Sequence, residues 1–249
     1  MRVQVLDTVK EMAARAARDG AAAIRTAIRD RGEATIVLAT GTSQIEMLAV
    51  LTREDIDWSR VMAYHLDEYC GIDRDHPVSF RRYMKERFTD RVPGLKSFTW
   101  IDADANDLDA ELVRLGGAIE QTPVDVAFIG IGENGHLAFN EPPADFDATS
   151  PYILVTLDSV SRQQQVNEGW FGHIDQVPEV AISMSLRQIL KAKTIVCTVP
   201  DARKAKAVRA AIEGEIQEDC PASILRVHAD ASLYLDRAAA SGLRFFARF

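Results

Sequence analysis

The 249-residue chain is short of the features that mark several protein classes. It has three cysteines, Cys70, Cys197 and Cys220, an odd number at wide spacing and with no CxxC pair. That excludes a disulfide scaffold and a cysteine-built zinc or redox centre. Cys197 sits in an apolar run and reads as a buried thiol. Basic residues are in deficit: 29 Lys and Arg against 37 Asp and Glu leave a formal net charge of −8. Neither general nucleic-acid affinity nor membrane attraction follows from that balance. No apolar run reaches the length of a membrane span, and the first residues lack a secretory signal's apolar stretch and cleavage site. The reducing cytoplasm is the expected compartment. No repeat, low-complexity tract or Pro/Gly-rich linker divides the chain, so residues 1–249 read as one domain.

What is present is a near-continuous alternation of strand and helix patterns. With 47% hydrophobic residues a sizeable core is within reach. A strand at the start is followed by an Ala-rich helix over Val9 to Arg31, ended by Gly32. Strands are expected at Thr35–Ala39, Val61–Leu66, Phe98–Ile101, Val124–Ile131, Tyr152–Leu157, Val180–Met184, Thr194–Val199 and Ser232–Leu235. Helices are expected at Ile45–Thr52, Phe80 to about Phe88 with Ser79 as cap, Asp107–Glu120, Ser161 to about Trp170, Leu186–Ala192 and Arg203–Glu213. This order predicts an α/β fold, a mostly parallel sheet with helices on both faces. Residues 161–176 are a candidate mobile cover. Sites in such sheets lie beyond the carboxyl ends of the strands.

Four polar segments occupy such positions. In Thr40-Gly41-Thr42-Ser43, backbone N–H groups and two hydroxyls at a helix N-terminus suit a phosphate, although an ordinary capped turn has the same composition. It is not a Walker A loop, because the GxxxxGK[ST] spacing is absent. His65-Leu66-Asp67-Glu68-Tyr69 puts two acids at a strand end, where alternation sends neighbouring side chains apart. One is well sited to move a proton; a solvated acidic loop reads the same way. Gly130 to Pro142 packs three glycines, Asn134, His136 and Glu141 into one loop, an acid–His pairing suited to general base work. Its GxGxxG spacing is a weak dinucleotide signal. Asp201-Ala-Arg203-Lys204 opens a helix, where a cation opposes the dipole and invites a bound anion.

Jointly, LDEY at 66–69, RDHPVSF at 74–80, GIGENGHLAFNEP at 130–142 and the Lys/Ala-rich stretch at 204–214 resemble the glucosamine-6-phosphate deaminase family, whose broader group includes 6-phosphogluconolactonases. The lactonase branch reads GEDGHTASLFP where this chain has GENGHLAFNEP, so the resemblance favours the deaminases. It implies a three-layer α/β/α sandwich with a Rossmann-like sheet. It also implies conversion of glucosamine 6-phosphate and water to fructose 6-phosphate and ammonia, with no metal and no organic cofactor. By position, Asp67 would move the proton between C2 and C1, His136 would open the ring and Glu141 would orient His136. Gly41, Thr42, Ser43 and Lys204 would hold the phosphate.

Three departures stand out. Asn134 occupies a place where some members have Asp, which gives it an orienting or hydroxyl-binding part. The lid arginine of the family falls near Gly169, so Arg162 or Arg187 is expected to replace it; an Arg fork suits phosphate. Ala148-Thr-Ser-Pro-Tyr152 replaces the basic run of regulated members, so activation by N-acetylglucosamine 6-phosphate is not expected. The expected partner is a small-molecule hexosamine phosphate, with homo-oligomerisation left open. Rival readings are a deaminase of galactosamine 6-phosphate, a 6-phosphogluconolactonase, and a non-catalytic sugar-phosphate sensor. A sensor would need a DNA-binding appendage, which fits at neither terminus.

Overall fold

The computed structural model describes residues 1–244. Its strands are β1 Arg2–Leu6, β2 Ala34–Leu38, β3 Val61–His65, β4 Asp67–Tyr69, β5 Ser97–Thr99, β6 Val126–Ile129, β7 Tyr152–Thr156, β8 Val180–Met184, β9 Thr194–Val199 and β10 Ala231–Asp236. Its α-helices are α1 Val9–Arg31, α2 Thr42–Leu51, α3 Phe80–Arg87, α4 Leu108–Ile119, α5 Ser159–Asn167, α6 Leu186–Ile189, α7 Ala205–Glu213 and α8 Arg237–Ala240. None of these helices is long and apolar enough to cross a membrane.

Seven strands form one parallel sheet in the order β1-β10-β9-β6-β2-β3-β5. Side-chain alternation divides the core in two. From β2, Ala34, Ile36 and Leu38 join Met12, Ala16, Ile24, Met47 and Leu48 of α1 and α2 on one face. Val37 of the same strand points to the other face, with Leu115 and Ile119 of α4 and Val208 of α7. The result is the expected α/β/α sandwich. Helix α1 keeps its expected bounds because both ends are fixed chemically. Thr8 and Glu11 form a reciprocal capping box, and Gly32 closes the helix at φ +85°. Small residues bring it close to the sheet: a Cβ on Gly20 would lie 2.3 Å from the Phe128 ring.

One expectation is corrected. The strands near residues 152 and 180 do not enter the parallel sheet. They pair antiparallel as β8–β7, and β8 pairs antiparallel with β4, a strand within the segment read as an acidic loop. Strand β7 carries exposed Leu154 and Thr156, a half-exposed pattern foreign to a doubly covered parallel strand. The small sheet has its own apolar centre. The Tyr69 ring lies 4.7 Å from Phe80, 5.1 Å from Phe139 and 5.6 Å from Phe171 between centroids.

The two acids of β4 diverge as strand geometry requires. Glu68 turns to the start of α3 and is fully buried. Its carboxylate accepts the backbone N–H groups of Tyr69, Phe80 and Arg81 and the Ser79 hydroxyl, all at 2.7–3.1 Å. The Arg81 guanidinium stands 3.5 Å away. Every neighbour is a donor, so an amide would set its own NH2 against them. Glu68→Gln is expected to cost about 2–4 kcal/mol of stability, read as a lowered denaturant midpoint. An unchanged midpoint would refute this anchoring part.

Candidate active site

At the carboxyl ends of the parallel strands lies a cavity of about 550 Å³, within the rough 300–1,000 Å³ range of small-molecule sites. The segments after β2, β3, β6 and β9 all reach it. Gly41, Thr42, Ser43, Asp67, His136 and Lys204 line one space. The Asp67 carboxyl, the His136 imidazole, the Gly41–Ser43 turn and the Lys204 ammonium therefore converge.

Asp67 is buried, and its Oδ1 has no hydrogen-bond partner. Burial, reinforced by the neighbouring Glu68 charge, pushes its carboxyl up to about 8. An acid facing a cavity with an unmet hydrogen bond and a pKa near neutrality is suited to exchange protons with a ligand.

His136 is held by its own loop. Its ring lies over Gly132, where a Cβ would come within 2.1 Å of Cε1, so only glycine leaves room. Nδ1 stands 3.4 Å from the Ser161 hydroxyl and 3.6 Å from Glu141 Oε2. With Nδ1 engaged on that side, Nε2 is the nitrogen left for the cavity. Burial works to raise the Glu141 carboxyl, but His136, Ser161 and Asn134 outweigh it and hold it below the ordinary value. Asn134 is the joint of this cluster. Its amide donates to Glu141 at 2.7 Å and to Asp158 at 2.8 Å, and its carbonyl accepts the His136 N–H at 3.1 Å. Neither Asn134 nor Glu141 lines the cavity; both brace the imidazole from behind.

On the cavity wall, Gly41 adopts φ +94° and leads into α2, whose first turn has no side-chain cap. Buried Gln44 ties that turn down, donating to Ser43 Oγ, the Ile129 carbonyl and Thr198 Oγ1. Gly130 is needed opposite, since a Cβ there would lie 2.7 Å from Ser43 Oγ. Lys204 is 5% exposed and sits in a 3-10 turn ahead of α7. Burial lowers its ammonium's pKa, with Glu168 and Glu133 opposing. The turn begins at Asp201, a non-glycine residue at φ +87°, the kind of local backbone strain common at functional sites.

The two candidate arginines lie elsewhere. Arg162 points to the Ile174 carbonyl and Glu179, and Arg187 is exposed and donates to the Asp147 carbonyl. The arginine on the cavity wall is Arg203, held by Asp201 at 2.8 Å and facing Glu133 at 3.6 Å. Of segment 161–176, Gln164, Gln165 and Glu168 line the cavity. Glu168 went unread in the sequence. Its signal was helical spacing: 161, 164, 165 and 168 share one face of α5, and 162 falls off it. Among the described residues, no group of three or more His, Cys, Asp or Glu side chains could hold a metal ion.

Comparison with known proteins identifies the family. Residues 7–234 match the family described as glucosamine-6-phosphate isomerases/6-phosphogluconolactonase. A glucosamine-6-phosphate deaminase of Lactobacillus delbrueckii subsp. bulgaricus is 35% identical over 215 residues, 86% of this chain and 90% of that one. One from Latilactobacillus sakei subsp. sakei is 38% identical over 204 residues, 82% of this chain and 85% of the other. The solved structure of a monomeric glucosamine-6-phosphate deaminase superposes with a TM-score of 0.87 at 34% identity, covering 97% of this chain and all of that one. A 6-phosphogluconolactonase from Shewanella baltica shares the fold, with a TM-score of 0.80 at 18% identity and coverage of 95% and 97%. With the match spanning nearly its whole length, the chain belongs to the glucosamine-6-phosphate isomerase/6-phosphogluconolactonase family.

Proposed function

We propose that this chain deaminates glucosamine 6-phosphate, yielding fructose 6-phosphate and ammonia. The observation that carries this reading is the convergence of Asp67, His136, Thr42, Ser43 and Lys204 on one cavity. Deaminases at 35–38% identity over most of the chain support it.

The chemistry follows from the layout. The phosphate docks on the α2 N-terminus and Lys204, which fixes the far end of the sugar and positions the reacting carbons. His136 takes the proton of the anomeric hydroxyl and returns one to the ring oxygen, opening the ring. Glu141 orients the imidazole, and Asn134 holds Glu141 and the His136 backbone in place. Asp67 then removes the C2 proton and delivers one to C1, while the amino nitrogen gives up a proton and the aldehyde oxygen gains one, turning the 2-amino aldehyde into a 2-imino alcohol. Water adds at C2 and ammonia leaves. The substrate's amino group also bears on Asp67: a nearby ammonium draws the carboxyl towards its ionised, basic form.

The deciding assay incubates the protein with glucosamine 6-phosphate, and in parallel with galactosamine 6-phosphate, and measures ammonia and ketose phosphate. Ammonia from the gluco substrate is expected; none from either sugar would refute deamination. His136→Gln is expected to lower kcat by about 10²–10⁴-fold, and a normal kcat would remove His136 from ring opening.

Asp67→Asn is expected to abolish turnover and to stabilise the fold. The folded-state pKa of about 8 lies above the unfolded value near 4. The folded protein therefore binds the extra proton between those values, and its stability falls as pH rises through that window. The variant's advantage should be absent below about pH 4 and grow towards pH 8 by at most roughly 1.4 kcal/mol per unit. Parallel stability curves for the two proteins would sink this account of Asp67.

A further inference from the structure

The cavity contains an acid that no step of the proposed reaction uses. Glu168, the residue closing α5, is buried with 3% of its side chain exposed. Its Oε2 accepts the Thr42 hydroxyl at 3.1 Å and the Trp170 indole N–H at 3.3 Å. Its Oε1 accepts the Gln164 amide at 2.8 Å and lies 3.6 Å from the Lys204 ammonium. Thr42 and Lys204 are the groups assigned above to the substrate's phosphate.

We propose that the Glu168 carboxylate is an internal surrogate for that phosphate: it pins the cover over the cradle, and an incoming phosphate must eject it. The inference rests on the reading of Thr42, Ser43 and Lys204 as the phosphate cradle. Its physical basis is exclusion. A carboxylate and a phosphate cannot share one buried ammonium and one hydroxyl without strong like-charge repulsion. The backbone provides a way out. Gly169 follows at φ +81° with nothing within 4 Å of a notional Cβ. Rotation about the Glu168 side-chain bonds swings the carboxylate outward and leaves the body of α5 intact, while Gly169 lets the chain that carries Trp170 give way.

Specificity follows. A phosphate carries nearly two charges at neutral pH and three strong acceptors, so it outcompetes a single carboxylate for Lys204 and Thr42. An unphosphorylated amino sugar brings nothing to exchange and meets a closed site. For every ligand, affinity is reduced by the fraction of molecules in which Glu168 has left.

Inorganic phosphate is the probe. Trp170 should report the exchange, because it loses its hydrogen-bond acceptor when Glu168 departs. In the wild-type protein, phosphate should produce a saturable change in tryptophan fluorescence that is absent from Trp170→Phe. By calorimetry, Glu168→Gln and Glu168→Ala should each bind phosphate about tenfold more tightly than wild type, the size expected for removing one charge-assisted competitor. A merely structural part for Glu168 would weaken binding or leave it alone. Equal or weaker phosphate affinity in both variants, with ammonia release by the wild type intact, would overturn the surrogate and spare the proposed reaction. Phosphate affinity unchanged in Lys204→Ala would overturn the cradle and the surrogate together. Absence of ammonia release from the wild type would instead strike the reaction itself.

Discussion

Two adjacent carboxylates on a three-residue strand set the terms for the rest of this molecule. Glu68 is surrounded by donors and fastens the start of α3 to β4. Asp67, one residue earlier, has an oxygen with no partner and faces the cavity. Strand alternation makes this division of labour possible within a single peptide unit. The satisfied acid makes the position rigid, and the unsatisfied acid is left reactive. Neither arrangement would hold on a flexible loop, where both side chains would turn to water.

The rest of the cavity answers to the charge of that acid. At one end the imidazole of His136 is braced by Glu141, Asn134 and Ser161 and presents its free nitrogen to the same space. On the same cavity Lys204 is buried, and Glu168 stands between its ammonium and the Thr42 hydroxyl. A molecule that is cationic near Asp67 and anionic near Lys204 meets complementary charge at both ends, and an amino-sugar phosphate has that form. In a cavity with an excess of acids, one buried ammonium, two hydroxyls and one helix terminus are the local groups suited to an anion, with no broad basic surface.

Much of this was legible in the residues, and the failures have physical causes. Helix α1 and strands β8 and β9 have the bounds expected from pattern, because caps and continuous apolar runs mark them locally. Strand β4 was illegible because three residues cannot show a period, and its pairing with β8 joins positions more than a hundred residues apart. Asp67, His136, Thr42, Ser43 and Lys204 stood out because unusual chemistry was concentrated at strand ends. Arg162 drew attention by residue type alone, yet it lies off the face of α5 that looks inward. Glu168 carried no motif; a lone acid at a helix end reads as solvated until tertiary structure sets it beside Lys204. Arg203 was passed over beside that lysine, although both reach the cavity wall.

The small antiparallel sheet has a mechanical meaning. Strand β7 runs into the cover, β8 runs out of it, and β4, which carries Asp67, is hydrogen-bonded to β8. Both ends of the covering segment are thus riveted to the platform that bears the reactive carboxylate. A change in the length of the segment between Gly169 and Gln176 would alter its reach over the cavity while the ladder below kept its register.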